Sequence, residues 1–315
     1  MPLLNRVLVL GATGFIGREI TRRLLQDGAY VRGTARRMPT KNASDYLIGS
    51  ELLIGNVENV QFLDEALKNI DYVVYAIGGS LPAVSNQEPL RTITGALNVL
   101  LTLLDALRRL PGVGLTFLSS GGTVYGNAKS SPVDEDSPCH PITAYGISKL
   151  TAEHFLGMYS ALYDIPVTIL RVANAYGPAQ ASNRGQGIIA VLLQSAYSGT
   201  PINIYGDGSV VRDYIHVEDV AYAVVEIMKR NSSGMTLNVA SGTGHSIRQL
   251  IELTEDITGT DISINWLEER TFDVKEIVLD TFRIRSLLDW MPVCLEDGLK
   301  VTWAEYIRIR NAQLS

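Results

Sequence analysis

A glycine-rich turn near the start of the chain constrains its fold more than any other feature. The turn reads Gly11-Ala-Thr-Gly14-Phe-Ile-Gly17 and joins an apolar segment, 6–10, to an amphipathic segment, 15–26. In a strand–turn–helix unit, the first glycine permits a tight turn, the second lets a pyrophosphate approach the helix N-terminus, and the third lets helix and strand pack closely. The spacing is GxxGxxG rather than GxGxxG, but its place after the first strand favours a dinucleotide site over a purely structural turn. The candidate contacts are Gly11, Thr13, Gly14, Phe15, Ile16 and Gly17.

Short β-rich segments alternate with amphipathic segments through the first half of the chain. This alternation is typical of βαβ units and a parallel sheet. The predicted strands are 6–10, 29–35, 51–54, 71–77, 113–119 and 167–172, and the predicted helices are 15–26, 60–68, 90–109 and 143–163. We therefore predict an α/β fold built on a doubly wound parallel sheet of the Rossmann type.

The second half of the chain has a looser rhythm, with longer segments between elements. We assign residues 1–175 to an NAD(P)-binding Rossmann domain and residues 176–315 to a smaller C-terminal substrate-binding α/β domain. Parts of the second half, about 212–240, are expected to return to the first domain. The cleft between the domains is the expected ligand site.

Composition excludes several classes of protein. Of 315 residues, 46% are hydrophobic and 19% are charged, which allows a large core and argues against intrinsic disorder. The net charge of −6 provides no general attraction for nucleic acid or an anionic membrane surface. The longest apolar stretch, 96–107, is interrupted by Asn98, Thr102 and Asp105, and no cleavable signal precedes the first strand. We expect neither a nucleic-acid partner nor a membrane partner.

Cysteine and histidine usage favours a reducing compartment and a site without metal. Cys139 and Cys294 are far apart in the chain, which argues against a disulfide scaffold and a cysteine-based zinc site. The histidines lack the spacing of metal ligands: they are His140, His154, His216 and His245. We predict a cytoplasmic protein that binds no metal ion.

The segment after the second predicted strand is basic. An acidic residue about 20 residues after the glycine turn normally binds the ribose 2′-hydroxyl of NAD. Residues 29–44 contain no Asp or Glu, whereas Arg36 and Arg37 lie where a 2′-phosphate would bind. Guanidinium groups suit such a dianion, and the alternative is a solvated basic loop. We therefore favour NADP(H) over NAD(H).

Tyr145 and Lys149 are spaced to share one face of a helix. A phenol with an ordinary pKa of about 10 is a poor acid–base group at neutral pH. A nearby ammonium and a positive nicotinamide ring would favour the phenolate, which could then exchange the proton of an alcohol during hydride transfer. An isolated YxxxK pair is more often an ordinary pair on a helix surface. Its place after the glycine turn and the Ser119-Ser120 pair favours the catalytic interpretation.

These residues and several later motifs resemble the extended short-chain dehydrogenases/reductases of the nucleotide-sugar epimerase/dehydratase group. The resemblance covers most of the chain. It rests on the glycine turn, Asn98, Ser119-Ser-Gly-Gly-Thr-Val-Tyr-Gly126, Tyr145 with Lys149, residues 171–178, Tyr205-Gly206, Arg212-Asp-Tyr-Ile-His-Val217, Asn238-Val-Ala-Ser241 and Arg270-Thr-Phe-Asp273.

The resemblance implies roles for individual residues. Tyr145 would be the acid–base group, and Lys149 would bind the nicotinamide ribose. Further cofactor contacts would be Asn56, Val57, Ala76, Ile77, Gly78, Asn98, Ser119 and Val172. The nucleotide sugar would be bound by Thr123, Tyr145, Asn174, Arg212, Arg270 and Asp273, although Arg212 could instead pair with Asp213 or Glu218.

The sequence departs from the group in its hydroxyl position. Relatives usually carry Ser or Thr five residues before the last glycine of Val-Tyr-Gly, and this chain has Gly121 there. Thr123 or Ser120 must then supply a hydroxyl to the reacting oxygen, and we favour Thr123 because Ser120 ends a strand. In addition, Asn56 replaces the usual acidic residue after the third strand.

The resemblance implies hydride transfer at C4 of a nucleotide-linked hexose. Residues 121–123 contain no carboxylate, which disfavours a 4,6-dehydratase. The basic loop suits an exchangeable cofactor, so we rank a 4-keto-6-deoxy-sugar reductase slightly above a 4-epimerase with retained NAD. A non-catalytic NADP(H)-binding sensor is the alternative of another class. Surplus apolar residues in the helices 90–109 and 143–163 lead us to expect a homodimer.

Overall fold

The apolar segments predicted as strands pair into one sheet. A computed structural model describes residues 6–39, 47–78, 82–128, 130–178, 180, 187–230, 232–270 and 274–314. The strands are β1 Arg6–Leu10, β2 Tyr30–Ala35, β3 Glu51–Ile54, β4 Tyr72–Tyr75, β5 Gly114–Ser120, β6 Val167–Val172, β7 Asn174–Tyr176, β8 Ile202–Tyr205, β9 Val211–His216, β10 Thr236–Val239, β11 Gly244–Ser246, β12 Ile264–Leu267 and β13 Glu276–Ile277.

The helices begin and end close to the predicted positions in the first half of the chain. They are α1 Phe15–Gln26, α2 Val60–Ala66, α3 Pro82–Gln87, α4 Pro89–Leu107, α5 Gly121–Val124, α6 Ala144–Tyr163, α7 Ile188–Ser198, α8 Val217–Lys229, α9 Ile247–Thr258, α10 Phe282–Leu287 and α11 Leu295–Leu314. The short helices α3 and α5 were not among the predicted elements, because segments of four to six residues carry too few apolar positions to show a period.

Seven strands form the main sheet in the order β10-β6-β5-β4-β1-β2-β3, and every pairing within it is parallel. The order reverses direction between β1 and β4, which is the arrangement of a doubly wound sheet. The carboxyl ends of β1 and β4 therefore meet at this switch point. This confirms the predicted Rossmann-type α/β fold.

Both faces of the main sheet are covered. Alternate residues of β1 enter two different cores: Val7 and Val9 pack with α1 and α8, whereas Leu8 and Leu10 pack with α2, α4 and α6. Removing a parallel strand from water on both faces favours the nearly continuous apolar runs seen in the sequence.

Helix α4 is long and apolar enough to cross a membrane by length and composition, and it is the one such helix in the described part of the chain. Its Leu100, Leu103, Leu104 and Leu107 are buried in the core beneath the main sheet. A core helix of this kind passes the same test, so the expectation of no membrane partner stays a prediction.

The rest of the chain forms two smaller sheets. Strand β9 pairs with β7, β11 and β13, while β8 pairs with β12. Helices α7, α9 and α11 enclose a third core with these strands. Within the span 212–240, β10 joins the main sheet and α8 packs on α1, whereas β9 lies in the smaller sheet. The division into two domains stays a prediction.

Candidate active site

The glycine turn is packed so closely that its first and last glycines have no room for a side chain. Gly11 has φ +87°, and a Cβ there would lie 2.9 Å from the carbonyl oxygen of Ala76. A Cβ on Gly17 would lie 2.1 Å from the carbonyl oxygen of Gly11. Because neither glycine has a side chain, the backbones of β1 and α1 pack in close contact, and the turn also contacts the residue that follows β4.

The N-terminus of α1 is open to an anion. Gly14 occupies the N-cap position without a side-chain cap, and the first turn holds no acidic residue. Unpaired amide groups at a helix N-terminus attract phosphate. The residues present thus fit the pyrophosphate of a dinucleotide. Ala76, Ile77 and Gly78 follow β4 directly, and the backbone of Ala76 and Ile77 lies next to Gly11; their contact with a cofactor stays a prediction.

The basic segment after β2 divides into two parts. Arg32 is buried and donates to Glu51 and to the carbonyl oxygens of Ala66 and Lys68, so it holds the sheet edge together. Arg36 and Arg37 are exposed just beyond β2, where they are accessible to a ligand. Asn56 is also exposed, and its side chain accepts from the amide of Glu58. Val57 next to it is buried.

The predicted catalytic pair meets the end of β5. The Lys149 ammonium is buried, donates to the carbonyl oxygen of Leu118 at 2.8 Å, and lies 5.9 Å from the centre of the Tyr145 ring. The Tyr145 and Ser120 hydroxyls are hydrogen-bonded to each other. Val172 lies beside Ser120 in the sheet register. The structure therefore joins Tyr145, Lys149 and Ser120 into one group.

Burial changes the proton affinities of this pair. It raises the pKa of Tyr145, against the smaller opposing effect of the Ser120 hydrogen bond. It also lowers the pKa of Lys149 to about 8, although the Glu153 carboxylate opposes this shift. Both groups are thus moved toward their neutral forms. The expected preference of Tyr145 for the phenolate is not produced by Lys149 alone.

Ser120, rather than the favoured Thr123, contacts Tyr145; which of the two hydroxyls serves the reacting oxygen stays a prediction. The Thr123 hydroxyl lies 3.5 Å from the backbone carbonyl oxygen of Ser120, to which it donates, whereas the Ser120 side chain makes no cap bond and reaches Tyr145. The glycine at 121 also has a physical reason. A Cβ on Gly121 would lie 2.4 Å from Cδ1 of Leu279 and 3.0 Å from the carbonyl oxygen of Arg171, so a side chain there would require the Leu279 side chain to move.

The prediction that Asn98 faces the cofactor is also corrected. Asn98 is exposed on the outer side of α4 and lines a shallow surface depression of about 310 Å³ with Val60, Leu101 and Thr102. The next two residues, Val99 and Leu100, face the core. The phase of the helix therefore turns Asn98 away from the sheet.

A buried ion pair lies next to the predicted catalytic pair, and the sequence analysis did not identify it. Glu153 accepts from Ser119 and from the Arg171 guanidinium, with an Nη2–Oε2 distance of 2.8 Å. Arg171 also donates to the Tyr125 hydroxyl. Glu153 follows Lys149 by four residues, and this helical spacing was the signal in the sequence that Glu153 lies on the same face of α6 as Lys149. Ser119 thus supports α6 through Glu153.

The predicted substrate residues Asn174, Arg212 and Arg270 lie in the part of the chain that follows β6. The Asn174 amide donates to the carbonyl oxygen of Asp213, and its Nδ2 is 3.6 Å from where a Cβ on Gly122 would be. The Arg270 guanidinium stacks on the Tyr205 ring, 3.4 Å from its centre. Arg212 donates to the carbonyl oxygen of Val211. Asp273 lies outside the described residues.

Asp213, one alternative partner for Arg212, is hydrogen-bonded to other groups. The Asp213 carboxylate is buried and accepts from the Ser241 hydroxyl and from the backbone amides of Ser241, Gly242 and Leu279. Glu218, the other alternative partner, forms an ion pair with Arg22, and the role of Arg212 stays a prediction. Within the described ranges, no three His, Cys, Asp or Glu side chains gather as a metal-binding group.

Known proteins resemble this chain over nearly its whole length. The model of the NAD-dependent epimerase/dehydratase family matches residues 7–240. The UDP-glucose 4-epimerase of Mycolicibacterium smegmatis is 30% identical over 313 residues, covering 97% of this chain and 99% of that protein.

Two solved structures show the same likeness in three dimensions. The UDP-glucose 4-epimerase of Thermotoga maritima with UDP-glucose superposes with a TM-score of 0.90 at 30% identity, covering 97% of this chain and 99% of the other. The UDP-glucuronic acid 4-epimerase of Bacillus cereus, in complex with UDP-glucuronic acid and NAD, superposes with a TM-score of 0.87 at 26% identity, covering 96% and 99%. This chain belongs to the NAD-dependent epimerase/dehydratase family and is an enzyme of the extended short-chain dehydrogenase/reductase type.

Proposed function

We propose that this protein is a 4-epimerase of a UDP-linked hexose that keeps NAD bound between turnovers. The observation that carries the proposal is the Tyr145 hydroxyl, which is hydrogen-bonded to Ser120 next to the buried Lys149. Similarity to UDP-sugar 4-epimerases supports this activity over the 4-keto-6-deoxy-sugar reductase that the sequence analysis ranked first.

Tyr145 moves the proton of the C4 hydroxyl in this proposal. Its oxygen accepts that proton and later returns it. Bound NAD supplies the hydride acceptor and donor for C4. Because burial raises the pKa of Tyr145, positive charge from Lys149 and the hydrogen bond from Ser120 are the protein groups that favour its ionised form.

The substrate-side residues suit a nucleoside diphosphate. Arg212 and Arg270 bring positive charge to an otherwise acidic protein, and Arg–phosphate contacts are strong and directional. Tyr205 beneath Arg270 adds an aromatic surface. Asn174, which lies next to Gly122 and donates to the Asp213 carbonyl oxygen, would donate its other amide hydrogen to the sugar or its diphosphate in this proposal.

The proposal is tested by assaying the purified protein with UDP-glucose, UDP-galactose and UDP-glucuronic acid and separating the products. We expect interconversion at C4 with at least one of them, and release of NAD when the protein is denatured. Tyr145→Phe should reduce turnover about 10²–10⁴-fold while NAD stays bound, because it removes the proton acceptor alone. An unchanged rate in Tyr145→Phe would refute the assignment.

A second candidate is an NADPH-dependent reductase, which the exposed Arg36 and Arg37 favour. It predicts that NADPH is consumed with a 4-keto sugar nucleotide and that no C4 epimer forms. Replacing both arginines by Ala should then weaken NADPH binding and leave NADH binding unchanged. Binding of NADP(H) without turnover of any sugar nucleotide would instead indicate a sensor.

We further propose that the protein is a homodimer assembled through α4 and α6. These helices leave large apolar side chains exposed outside the core: Leu90, Ile147, Met158, Leu162 and Tyr163. Apolar surface of this kind on two neighbouring helices favours a helix-to-helix interface.

A further inference from the structure

The first turn of the catalytic helix is held by side chains from a distant part of the chain. An α-helix leaves its first backbone amides without partners in the helix. In α6 the amide of Gly146 donates to Thr143, the N-cap residue. The amide of Ala144 donates to the Asn86 side chain at 2.9 Å, and the amide of Tyr145 donates to the Ser85 hydroxyl at 3.1 Å.

Ser85 and Asn86 belong to α3, 58 to 60 residues before their partners. Ser85 is fully buried, whereas Asn86 is exposed. A local cap such as Thr143 accepts a hydrogen bond from one amide of its own helix. The two hydrogen bonds to α3 also fix the position of the α6 backbone at Ala144 and Tyr145 relative to another element.

A second element packs closely against the same turn. A Cβ on Gly146 would lie 2.8 Å from the carbonyl oxygen of Thr123 in α5. The start of α6 is therefore in contact with both α3 and α5. Ser120, the hydrogen-bond partner of the Tyr145 hydroxyl, directly precedes α5.

Helix α3 connects this arrangement to the cofactor side of the site. It begins four residues after Gly78, and the backbone of Ala76 and Ile77 just before lies against the glycine turn. A displacement of about 1 Å between reacting groups can cost 10²-fold in rate. Helix α3, which follows the cofactor-facing end of β4, thus carries the side chain that binds the backbone amide of Tyr145.

We propose that Ser85 and Asn86 are positioning residues, which hold the first turn of α6 so that the Tyr145 hydroxyl meets the sugar at the correct distance. Neither residue touches the reacting atoms in this arrangement. They act through Tyr145. The inference rests on the proposed function only in taking Tyr145 as the acid–base group.

The test compares Ser85→Ala, Asn86→Leu and Asn86→Asp with Ser246→Ala. Ser246 caps α9 through the amide of Gln249, so its loss matches the loss of a cap at a helix other than α6. We expect Ser85→Ala and Asn86→Leu to lower kcat about 10-fold, with KM and bound NAD changed less than about twofold. Asn86→Asp keeps an acceptor and should restore kcat.

Ser246→Ala should lower Tm by a similar few degrees and leave kcat unchanged. The proposal is overturned if Ser85→Ala and Asn86→Leu lower Tm like Ser246→Ala while kcat stays at the wild-type value. Should Ser85→Ala fail to fold, the exposed Asn86 still provides the comparison of Leu with Asp.

A spectroscopic measurement separates this inference from the proposed function. In the NMR spectrum of protein labelled with ¹³C at tyrosine Cζ, the chemical shift of Tyr145 reports its pKa and its surroundings. The Tyr145 signal is identified as the one that is missing in Tyr145→Phe. If no UDP-sugar is epimerised, the proposed function fails and the signal still decides the inference. We expect it to shift in Asn86→Leu and not in Ser246→Ala. A Tyr145 signal unchanged in both would overturn the positioning role.

Discussion

At the scale of single residues, the hydroxyl that relatives carry at position 121 is absent from this chain, and Ser120 offers one instead. Leu279 occupies the space beside Gly121, the position where relatives usually carry a hydroxyl, so a side chain at 121 would have to displace it. Ser120, one residue earlier, contacts Tyr145 instead. Thr123 turns its hydroxyl back to the Ser120 carbonyl oxygen.

Ser120→Ala should therefore damage turnover more than Thr123→Val. The first variant removes the hydrogen bond to the Tyr145 hydroxyl, and we expect kcat to fall about 10-fold, as for a net hydrogen bond of about 1.5 kcal/mol. The second removes a weak bond to a backbone carbonyl and should retain most of the activity. Steady-state rates with the best UDP-sugar decide the order. A larger loss in Thr123→Val would restore the preference for Thr123.

The buried charge of Lys149 should make stability depend on pH. Burial lowers the pKa of Lys149 from 10.5 to about 8. Between these values the unfolded chain keeps a proton that the folded chain has released, so the contribution of this group to stability rises with pH across the window. The shift corresponds to about 3 kcal/mol of destabilisation below pH 8.

Lys149→Met removes this buried charge. Relative to wild type, we expect its Tm to change in the stabilising direction by more at pH 7 than at pH 10, although turnover is lost. The measurement is thermal unfolding of nucleotide-depleted protein at both pH values. Lys68→Met, at an exposed site, is the control and should show no such difference. An equal Tm change at both pH values would contradict the prediction.

At the scale of elements, the turn between β1 and α1 couples backbone packing to ligand binding. Gly17 lies against the carbonyl oxygen of Gly11, and Gly11 lies against Ala76. Neither contact can give way cheaply, because backbone atoms are involved on both sides. The close approach of β1, β4 and α1 thus depends on the absence of two side chains.

Gly17→Ala should abolish cofactor binding and lower the free energy of unfolding. Its methyl group would lie 2.1 Å from the Gly11 carbonyl oxygen and would push α1 away from the turn. Gly95→Ala is the matched control, since nothing lies within 4 Å of that Cβ position in α4. It should leave binding intact and stabilise the helix by up to about 1 kcal/mol. Denaturant unfolding and NAD titration test both. Normal binding by Gly17→Ala would show that the turn can adjust.

At the scale of the whole molecule, α4 and α6 carry exposed apolar side chains that no other part of the described chain covers. Both helices pack their inner faces under the sheet and pack against each other. Their outer faces retain Leu90, Ile147, Met158, Leu162 and Tyr163 at the surface. This surface is where the proposed dimer would bury area.

Sedimentation equilibrium at micromolar concentration should give twice the chain mass of 34.4 kDa. Leu162→Glu places a charge in the proposed interface and should yield a monomer, because an unpaired charge is costly to bury. Met291→Glu is the control: Met291 is also well exposed but lies outside both helices. A monomeric wild-type protein, or a dimer unaffected by Leu162→Glu, would rule out this interface.

The sequence by itself determined the features that depend on local spacing. The glycine turn, the alternation of strands and helices, and the Tyr145–Lys149 pair are all set by residues within one or two turns of each other. Local sterics and periodicity decide such features. The predicted parallel sheet and the family resemblance followed from them, and both are confirmed.

Only the tertiary structure decided which side chains meet across the chain. Asn98 turned out to face solvent because the phase of α4 is set by its packing on the sheet. Ser120 rather than Thr123 contacts Tyr145, and the Thr123 hydroxyl donates to the Ser120 carbonyl oxygen. Ser85 and Asn86 accept from the backbone amides of Tyr145 and Ala144, which lie 60 and 58 positions further along the chain. No local pattern records such contacts, since they depend on where the packed sheet brings distant backbone segments together.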